Sequence, residues 1–235
     1  MLDSSFLSVQ KTHIQTPKGL RAFLSHTPLN IAFHAGRDCK EQILKNRETI
    51  IYPFTLENLA YLNQIHGNTI IEANSGGLLG NGDGILITQK GIIAMIMVAD
   101  CNPILLFDSK KQILILLHGG RVGLEVGILN QALNLLQKRF HTHLDELFIY
   151  IGPSIRNCCY AVKEEVFKGE ALEKGRILRN GKLYLDLIAV IQAQLESYYI
   201  KPSIIAPQCT CCHQQFFSYR RDFNCGRFAL FAYLV

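Results

Sequence analysis

The sequence predicts an α+β fold, and three observations predict it: strand-like apolar runs gather in a block between residues 69 and 117, a helical period takes over after residue 122, and the two kinds of element do not alternate regularly as in a parallel α/β chain. Residues 30–34 read as the first strand. Asp38, a residue type favoured at the N-cap, precedes a stretch of helix formers and predicts a helix through about residue 50. Runs at 69–72, 84–88, 92–98, 104–107 and 113–117 follow as strands, split by Gly-Gly, Asn-Gly-Asp-Gly and Asp-Ser-Lys-Lys turn signals; in that order they read as a sheet meander. Val122, Val126, Leu129, Leu133 and Leu136 then recur at steps of three and four, one face of a single helix ending near Arg139. Strands at 147–151, 203–206 and 227–234 and a helix near 187–198 complete the pattern. No low-complexity linker divides it, so one domain over 1–235 is expected.

At 235 residues and 49% hydrophobic content the chain has ample material for a buried core. No apolar run reaches membrane-spanning length: the run from Ile92 to Val98 stops at Asp100, and that from Ile113 to Leu117 stops at His118. The opening Met1-Leu2-Asp3-Ser4-Ser5 has neither a basic nor an apolar leader region, so a cytoplasmic protein without a membrane partner is the expectation. In that setting the eight cysteines, at 39, 101, 158, 159, 209, 211, 212 and 225, are expected as free thiols or metal ligands rather than disulfides. The net charge of +5 suits an anionic small substrate; no stretch concentrates Lys and Arg as a nucleic-acid face would.

Three residues carry the chemistry. His66 in Asn63-Gln64-Ile65-His66-Gly67, Cys101 in Ala99-Asp100-Cys101-Asn102-Pro103, and His118 in Leu117-His118-Gly119-Gly120 each end an apolar run. Polar side chains at the ends of buried strands converge on one mouth, because strand interiors have no room for them. Two imidazoles and a thiolate hold a zinc ion and leave its fourth position open, the mark of a catalytic rather than a structural site. A lone histidine there is ordinarily a satisfied core residue and a lone cysteine a small hydrophobe; three on separate strands reverse that weighting. Asp100, beside the thiolate, is a candidate ligand-orienting group or general base, against the alternative that it only caps backbone amides. The expected helix after His118 would present its positive end to an anionic substrate group.

The C-x-x-C spacing of Cys209 and Cys212 invites a second metal site, but adjacent donors at 211, 212 and 213 strain a tetrahedron and no partner knuckle is in view, so it is not expected. Cys158-Cys159 is read as packing.

Taken in order, Asn30 to His34, Asn46-Arg47, Gln64-Ile65-His66-Gly67, Asp83-Gly84, Ala99-Asp100-Cys101-Asn102-Pro103, His118-Gly119-Gly120, Ile151-Gly152-Pro153-Ser154-Ile155, Asp186-Leu187, Cys209-Thr210, Phe217-Ser218-Tyr219-Arg220-Arg221-Asp222 and Gly226-Arg227 resemble the YfiH or laccase-domain family, also called the polyphenol oxidase family. The resemblance runs from about residue 30 to the end. It implies an α-β-β-α sandwich of mixed sheets with outer helices, and a zinc site on His66, Cys101 and His118. It also implies purine nucleoside chemistry: members are described as phosphorylases of adenosine, inosine, guanosine and methylthioadenosine, some with adenosine deaminase activity. Bacterial members are linked to quality control of cytosolic peptidoglycan precursors, and older descriptions make them copper-dependent phenol oxidases.

One departure stands out. Where the family usually has His-Ala-Gly-Trp-Arg-Gly, this chain has His118-Gly119-Gly120-Arg121-Val122-Gly123, so the aromatic is lost and the guanidinium sits one position earlier. Guanidinium recognition depends on a planar fork in a fixed direction, so Arg121 would meet a substrate phosphate from a shifted angle. Phosphorolysis needs a cationic cradle, for which Arg47, Arg220 and Arg227 are the candidates with Tyr219 beside the purine; each has a rival reading as a solvated or ion-paired surface residue. A multicopper oxidase needs several His-x-His pairs, and His141-Thr142-His143 is the one the chain offers. Copper can still occupy a His-Cys-His site in vitro, since it outcompetes zinc for N and S donors. The alternative of a different class is a cysteine hydrolase of amides, with Cys101 and His118 as a thiolate–imidazole pair acting on peptidoglycan precursors.

Overall fold

Strands that are apolar at every position must be covered on both faces, and this requirement builds the molecule. A computed structural model describes residues 10–235; residues 1–5, read above for a leader, and the first nine residues of the expected 1–235 domain lie outside the described residues. In chain order the elements are β1 (Lys11–His13), β2 (Leu20–Ser25), α1 (Lys40–Ile51), β3 (Leu59–Asn63), β4 (Ile70–Glu72), β5 (Gly77–Asn81), β6 (Gly84–Ile87), β7 (Ile93–Val98), β8 (Asn102–Asp108) and β9 (Ile113–Gly119). Then come α2 (Arg121–Glu125), α3 (Ile128–Phe140), β10 (Phe148–Ile151), β11 (Ala161–Val162), β12 (Arg176–Arg179), β13 (Lys182–Leu185), α4 (Leu187–Glu196), β14 (Ile204–Ile205) and β15 (Phe228–Leu234).

Two mixed sheets of six strands result, ordered β1-β2-β15-β7-β3-β5 and β14-β10-β8-β9-β6-β4, with a small antiparallel sheet β11-β13-β12 beside them. Their inner faces share one core, in which Leu24, Ile96 and Leu230 of the first sheet lie in the same cluster as Ile85, Leu105 and Leu116 of the second. The second sheet's outer face packs Leu106, Ile115 and Leu117 with Leu129, Leu133 and Leu136 of α3 and Val190 and Ile191 of α4. Outside the first sheet, Phe23, Met95 and Phe231 meet Ile50 and Ile51 of α1, and Phe23 stacks on Phe231 at 5.0 Å between centroids. Every position of β7, β8 and β9 is buried. This is the α-β-β-α layering expected. Among the described residues no helix is long and apolar enough to cross a membrane.

Several local expectations are corrected. Residues 30–34 are a loop, not a strand: Asn30 bonds the Ala32 N–H and the Ala32 and Ala35 carbonyls through its side chain, so the backbone is satisfied without a ladder. Helix α1 starts after Cys39, which makes no side-chain cap, and not at Asp38. The five-strand meander does not exist. β7 belongs to the first sheet and β8 to the second, and in that run only β4 with β6, in parallel, and β8 with β9, antiparallel, pair with the next strand expected. The chain crosses between sheets at Asp100, whose φ of 96 is the left-handed turn that makes the crossing.

The single helix expected after residue 122 is two. Gly127, at φ 83, breaks it, leaving a five-residue α2 in which Val122 is exposed and a thirteen-residue α3 that carries the buried stripe. β1, β2, β3 and β5 were not read from the sequence; β1 and β5 are edge strands with exposed positions, which blunts the apolar signal. The C-terminal helix agrees better, with Asp186 accepting from the Ile188 and Ala189 N–H groups as its cap.

A candidate metal centre at the strand ends

β6, β8 and β9 are adjacent in the second sheet, with Gly84 opposite Leu117 and Pro103 opposite His118. Their registered ends therefore bring Asp83, Cys101 and His118 to one place. His66 arrives from the loop after β3, and Gln64 fixes that loop by continuing the ladder with its side chain, donating to the Met97 carbonyl at 2.8 Å and accepting from the Met97 N–H at 2.9 Å. The ligand atoms of His66, Cys101 and His118 lie within 4.8 Å of one another.

Asp83 organises the group, and sequence reading missed it because Asp-Gly there passed for a turn signal. It is fully buried. Its carboxylate accepts from His118 Nδ1–H at 2.8 Å and from the N–H groups of Ile65, His66 and Gly67 at 3.2, 3.0 and 2.6 Å. The three amides hold His66 in its left-handed conformation, φ 61. The bond to Nδ1 fixes the tautomer of His118 and leaves Nε2 for the shared centre, the usual outer carboxylate of a metal histidine. Burial pushes the Asp83 carboxyl up, yet the bonds from His118, Gly67 and His66 outweigh it and hold it below the usual carboxylate range.

Cys101 and His118 are tightly coupled. Burial raises the Cys101 thiol, but the neighbouring His118 charge and bonds from both histidines bring it down to about 6. Burial likewise opposes charge on His118, while the Cys101 thiolate and Asp83 raise it to about 9. Each group thereby favours the charged form of the other. Gly120 makes the convergence sterically feasible: a Cβ there would lie 2.9 Å from Cys101 Sγ and 3.3 Å from His66 Cδ2.

The donors fit a zinc ion: two imidazole nitrogens and a thiolate, one imidazole backed by a buried carboxylate, on the wall of a cavity of about 420 Å³. Arg121, Tyr160, Tyr219, Arg220 and Arg227 line that cavity. Arg220 lies over the Tyr160 ring at 5.1 Å and Arg227 over Tyr219 at 6.0 Å, which ranges aromatic faces and guanidinium groups together. His34, also in the wall, was passed over as a strand residue.

Other expectations move. Arg47 does not line the cavity; it is 2% exposed, donates Nε–H to the Ile31 carbonyl at 2.8 Å, and sits over Phe33 and Tyr61 at 4.2 and 4.5 Å. Its reach is spent shaping the 30s loop. Asp100 lines the cavity, but its oxygens accept from the Thr210 hydroxyl at 2.6 Å and the Arg220 N–H at 2.7 Å, so it positions the loop that carries Tyr219 and Arg220 rather than a ligand. Arg121 pairs with Glu125 at 3.2 Å, and five-residue α2 is too short to supply the dipole expected of a long helix. Cys158 and Cys159, read as packing, and Cys209 and Cys212, where a second metal site was not expected, form a second cluster of possible metal ligands. His141 and His143 belong to neither cluster.

Over residues 20–235 the chain matches the family described as multi-copper polyphenol oxidoreductase laccase. It is 30% identical over 175 residues to a protein of Clostridium acetobutylicum named purine nucleoside phosphorylase, covering 72% of this chain and 73% of that one. It is 29% identical over 217 residues to the purine nucleoside phosphorylase YlmD of Geobacillus stearothermophilus, 83% of this chain and 78% of the relative. Among solved structures, the hypothetical protein YfiH of Bacillus licheniformis has the same fold, with a TM-score of 0.84 at 23% identity over 92% of this chain and 93% of that one.

Proposed function

The chain belongs to the multi-copper polyphenol oxidoreductase laccase family, and from that premise we propose that it is a zinc-dependent purine nucleoside phosphorylase acting on the adenosine, inosine, guanosine and methylthioadenosine class, with adenosine deamination as a second activity of the same cavity. The observation that carries this is the convergence of His66, Cys101 and His118, with Asp83 behind them, on a cavity that also holds three arginines and two tyrosines. The proposal sets the enzyme in the cytoplasm, where its eight cysteines stay out of disulfides, as free thiols or metal ligands.

His66, Cys101 and His118 would hold zinc, which when bound supplies a Lewis acid. Phosphorolysis forms a bond from a phosphate oxygen to the sugar carbon as the carbon–nitrogen bond to the purine breaks, and the purine leaves with a proton. Arg121, Arg220 and Arg227 give the phosphate its cationic cradle, and the Tyr160 and Tyr219 rings flank a planar base. A cavity of about 420 Å³ is of the size that takes a small ligand. Copper is a substitute metal in vitro; among the described residues no cluster of histidines corresponds to a trinuclear copper centre.

The test is mass spectrometry of products after incubating zinc-loaded protein with adenosine, with and without phosphate. Adenine plus ribose 1-phosphate, formed only with phosphate, supports the phosphorylase; inosine alone makes it a deaminase. No turnover in either tube overturns both.

A second reading rests on the Cys101–His118–Asp83 arrangement itself, a low-pKa thiol, an imidazole and an orienting carboxylate. It makes the chain a cysteine hydrolase of amides in peptidoglycan precursors. A chelator separates the two, since it abolishes zinc-dependent turnover and spares a cysteine nucleophile.

A further inference from the structure

We propose that Cys158, Cys159, Cys209 and Cys212 form a second metal site, a closed zinc tetrathiolate with a structural role, distinct from the centre at the strand ends. Their four sulfurs lie within 4.8 Å of one another. Cys158 and Cys159 are 3.7 Å apart, Cys158 and Cys212 3.8 Å, and Cys159 and Cys212 3.3 Å. A zinc–sulfur bond of about 2.3 Å in a tetrahedron sets its sulfurs about 3.8 Å apart, whereas a disulfide would draw two of them to about 2.05 Å. Adjacency of Cys158 and Cys159 is no obstacle, because one turn already points both sulfurs the same way at the edge length required.

The backbone around Cys209 has the form of a metal knuckle. The N–H groups of Cys212 and His213 donate to the Cys209 carbonyl at 3.1 and 3.0 Å, which folds the C-x-x-C segment into a turn, and the Arg156 N–H donates to Cys209 Sγ at 3.4 Å. Donors aimed at a sulfur stabilise it as thiolate, the form that binds metal. Arg221 holds the turn from outside, donating to the carbonyls of Thr210, Cys211, His213 and Phe216.

The site ties two segments that build the cavity wall. One is the turn after β10 that leads into Tyr160; the other is the irregular stretch between Ile205 and Phe228, which carries Thr210, Tyr219 and Arg220. Unstructured stretches of that length inside a folded unit need a constraint. A metal there holds Tyr160, Tyr219 and Arg220 in register, and so acts on the substrate cavity without touching substrate.

The experiment is metal counting on His66→Ala/Cys101→Ala protein, which lacks the strand-end centre, by inductively coupled plasma mass spectrometry, followed by exchange of the zinc for cobalt. The expected result is one zinc per chain and the intense visible bands of tetrahedral cobalt thiolate, both lost in the same background with Cys209→Ser/Cys212→Ser. A metal-free His66→Ala/Cys101→Ala protein, or a Cys159–Cys212 disulfide found by mass mapping of the purified chain, would overturn the proposal. If the quadruple variant fails to fold, the cobalt spectrum of the His66→Ala/Cys101→Ala protein decides the matter: intense thiolate-to-cobalt bands uphold the site and their absence overturns it. None of these readouts depends on nucleoside turnover, so the phosphorylase reading can fail while this one stands.

Discussion

The two ligand clusters reach similar donor spacing by opposite routes. In the strand-end centre, Cys101 and His118 flank hydrogen-bonded strands, and a buried carboxylate, Asp83, fixes the histidine and the loop of the third ligand before any metal arrives. In the tetrathiolate cluster three donors sit on turns and Cys209 on an isolated bridge to Ser154, two of the four are exposed, and among the described residues no buried acid stands behind them. A scaffold that is already paid for by the core keeps a coordination position open, as chemistry requires; a cluster on loops closes around its ion and exists to hold the loops. Preorganisation therefore separates the centre suited to reaction from the one suited to stapling.

The largest expected effect comes from removing the carboxylate that makes the difference. Asp83→Ala leaves three amides and a buried imidazole without their acceptor, and is expected to cost about 3–5 kcal/mol in urea unfolding and to abolish zinc binding at the strand ends. Asp83→Asn keeps the shape and is expected to weaken that zinc about 10–100-fold by competition with a chelator. The tetrathiolate metal should be unmoved by Asp83→Asn; if both metals leave together, the two regions are not independent.

Next is Gly120→Ala. Its Cβ would crowd Cys101 Sγ and His66 Cδ2, so zinc affinity and turnover should fall by at least tenfold, with the melting temperature nearly unchanged. Unaltered affinity would mean that the three donors converge less tightly than their geometry indicates.

The metal-free protein should show a pH dependence of its own. Cys101 is depressed to about 6, so its contribution is complete above an ordinary thiol pKa and is lost as pH falls through about 6. His118 is raised to about 9, so its contribution is complete below an ordinary histidine pKa and is lost as pH rises through about 9. Between those limits the two contributions change in opposite senses and largely cancel, so a melting temperature measured after chelation should stay nearly level toward about 9 and fall only as pH drops through about 6. A Cys101→Ala/His118→Ala protein should lose that acid-side fall.

The smallest effect is expected at Arg47. Arg47→Lys gives up the stacking on Phe33 and Tyr61 and should cost about 1 kcal/mol, with the KM for phosphate unchanged because the side chain lies outside the cavity. A raised KM would return Arg47 to the substrate.

The amino-acid sequence by itself determined the α+β class and the three strand-end donors, while the α-β-β-α layering was legible only through the family resemblance. Fully apolar runs such as 93–98 and 113–117 must be buried on both faces, and a polar residue that ends such a run has only the sheet's mouth to occupy, so His66, Cys101 and His118 were legible along with the helical stripe from Leu129 to Leu136. Edge strands, the break at Gly127 and the loop at 30–34 were not, since each depends on side-chain bonds or conformations that leave no period. Only the tertiary structure decided the rest: that Asp83 belongs to His118 across 35 positions, that Asp100 serves Arg220 across 120, that Arg47 faces inward, and that Cys158-Cys159 meets Cys209 and Cys212. Periodicity records which face of an element is buried. It carries no record of which distant residue a buried polar group meets, because that pairing is set when the sheets and loops pack.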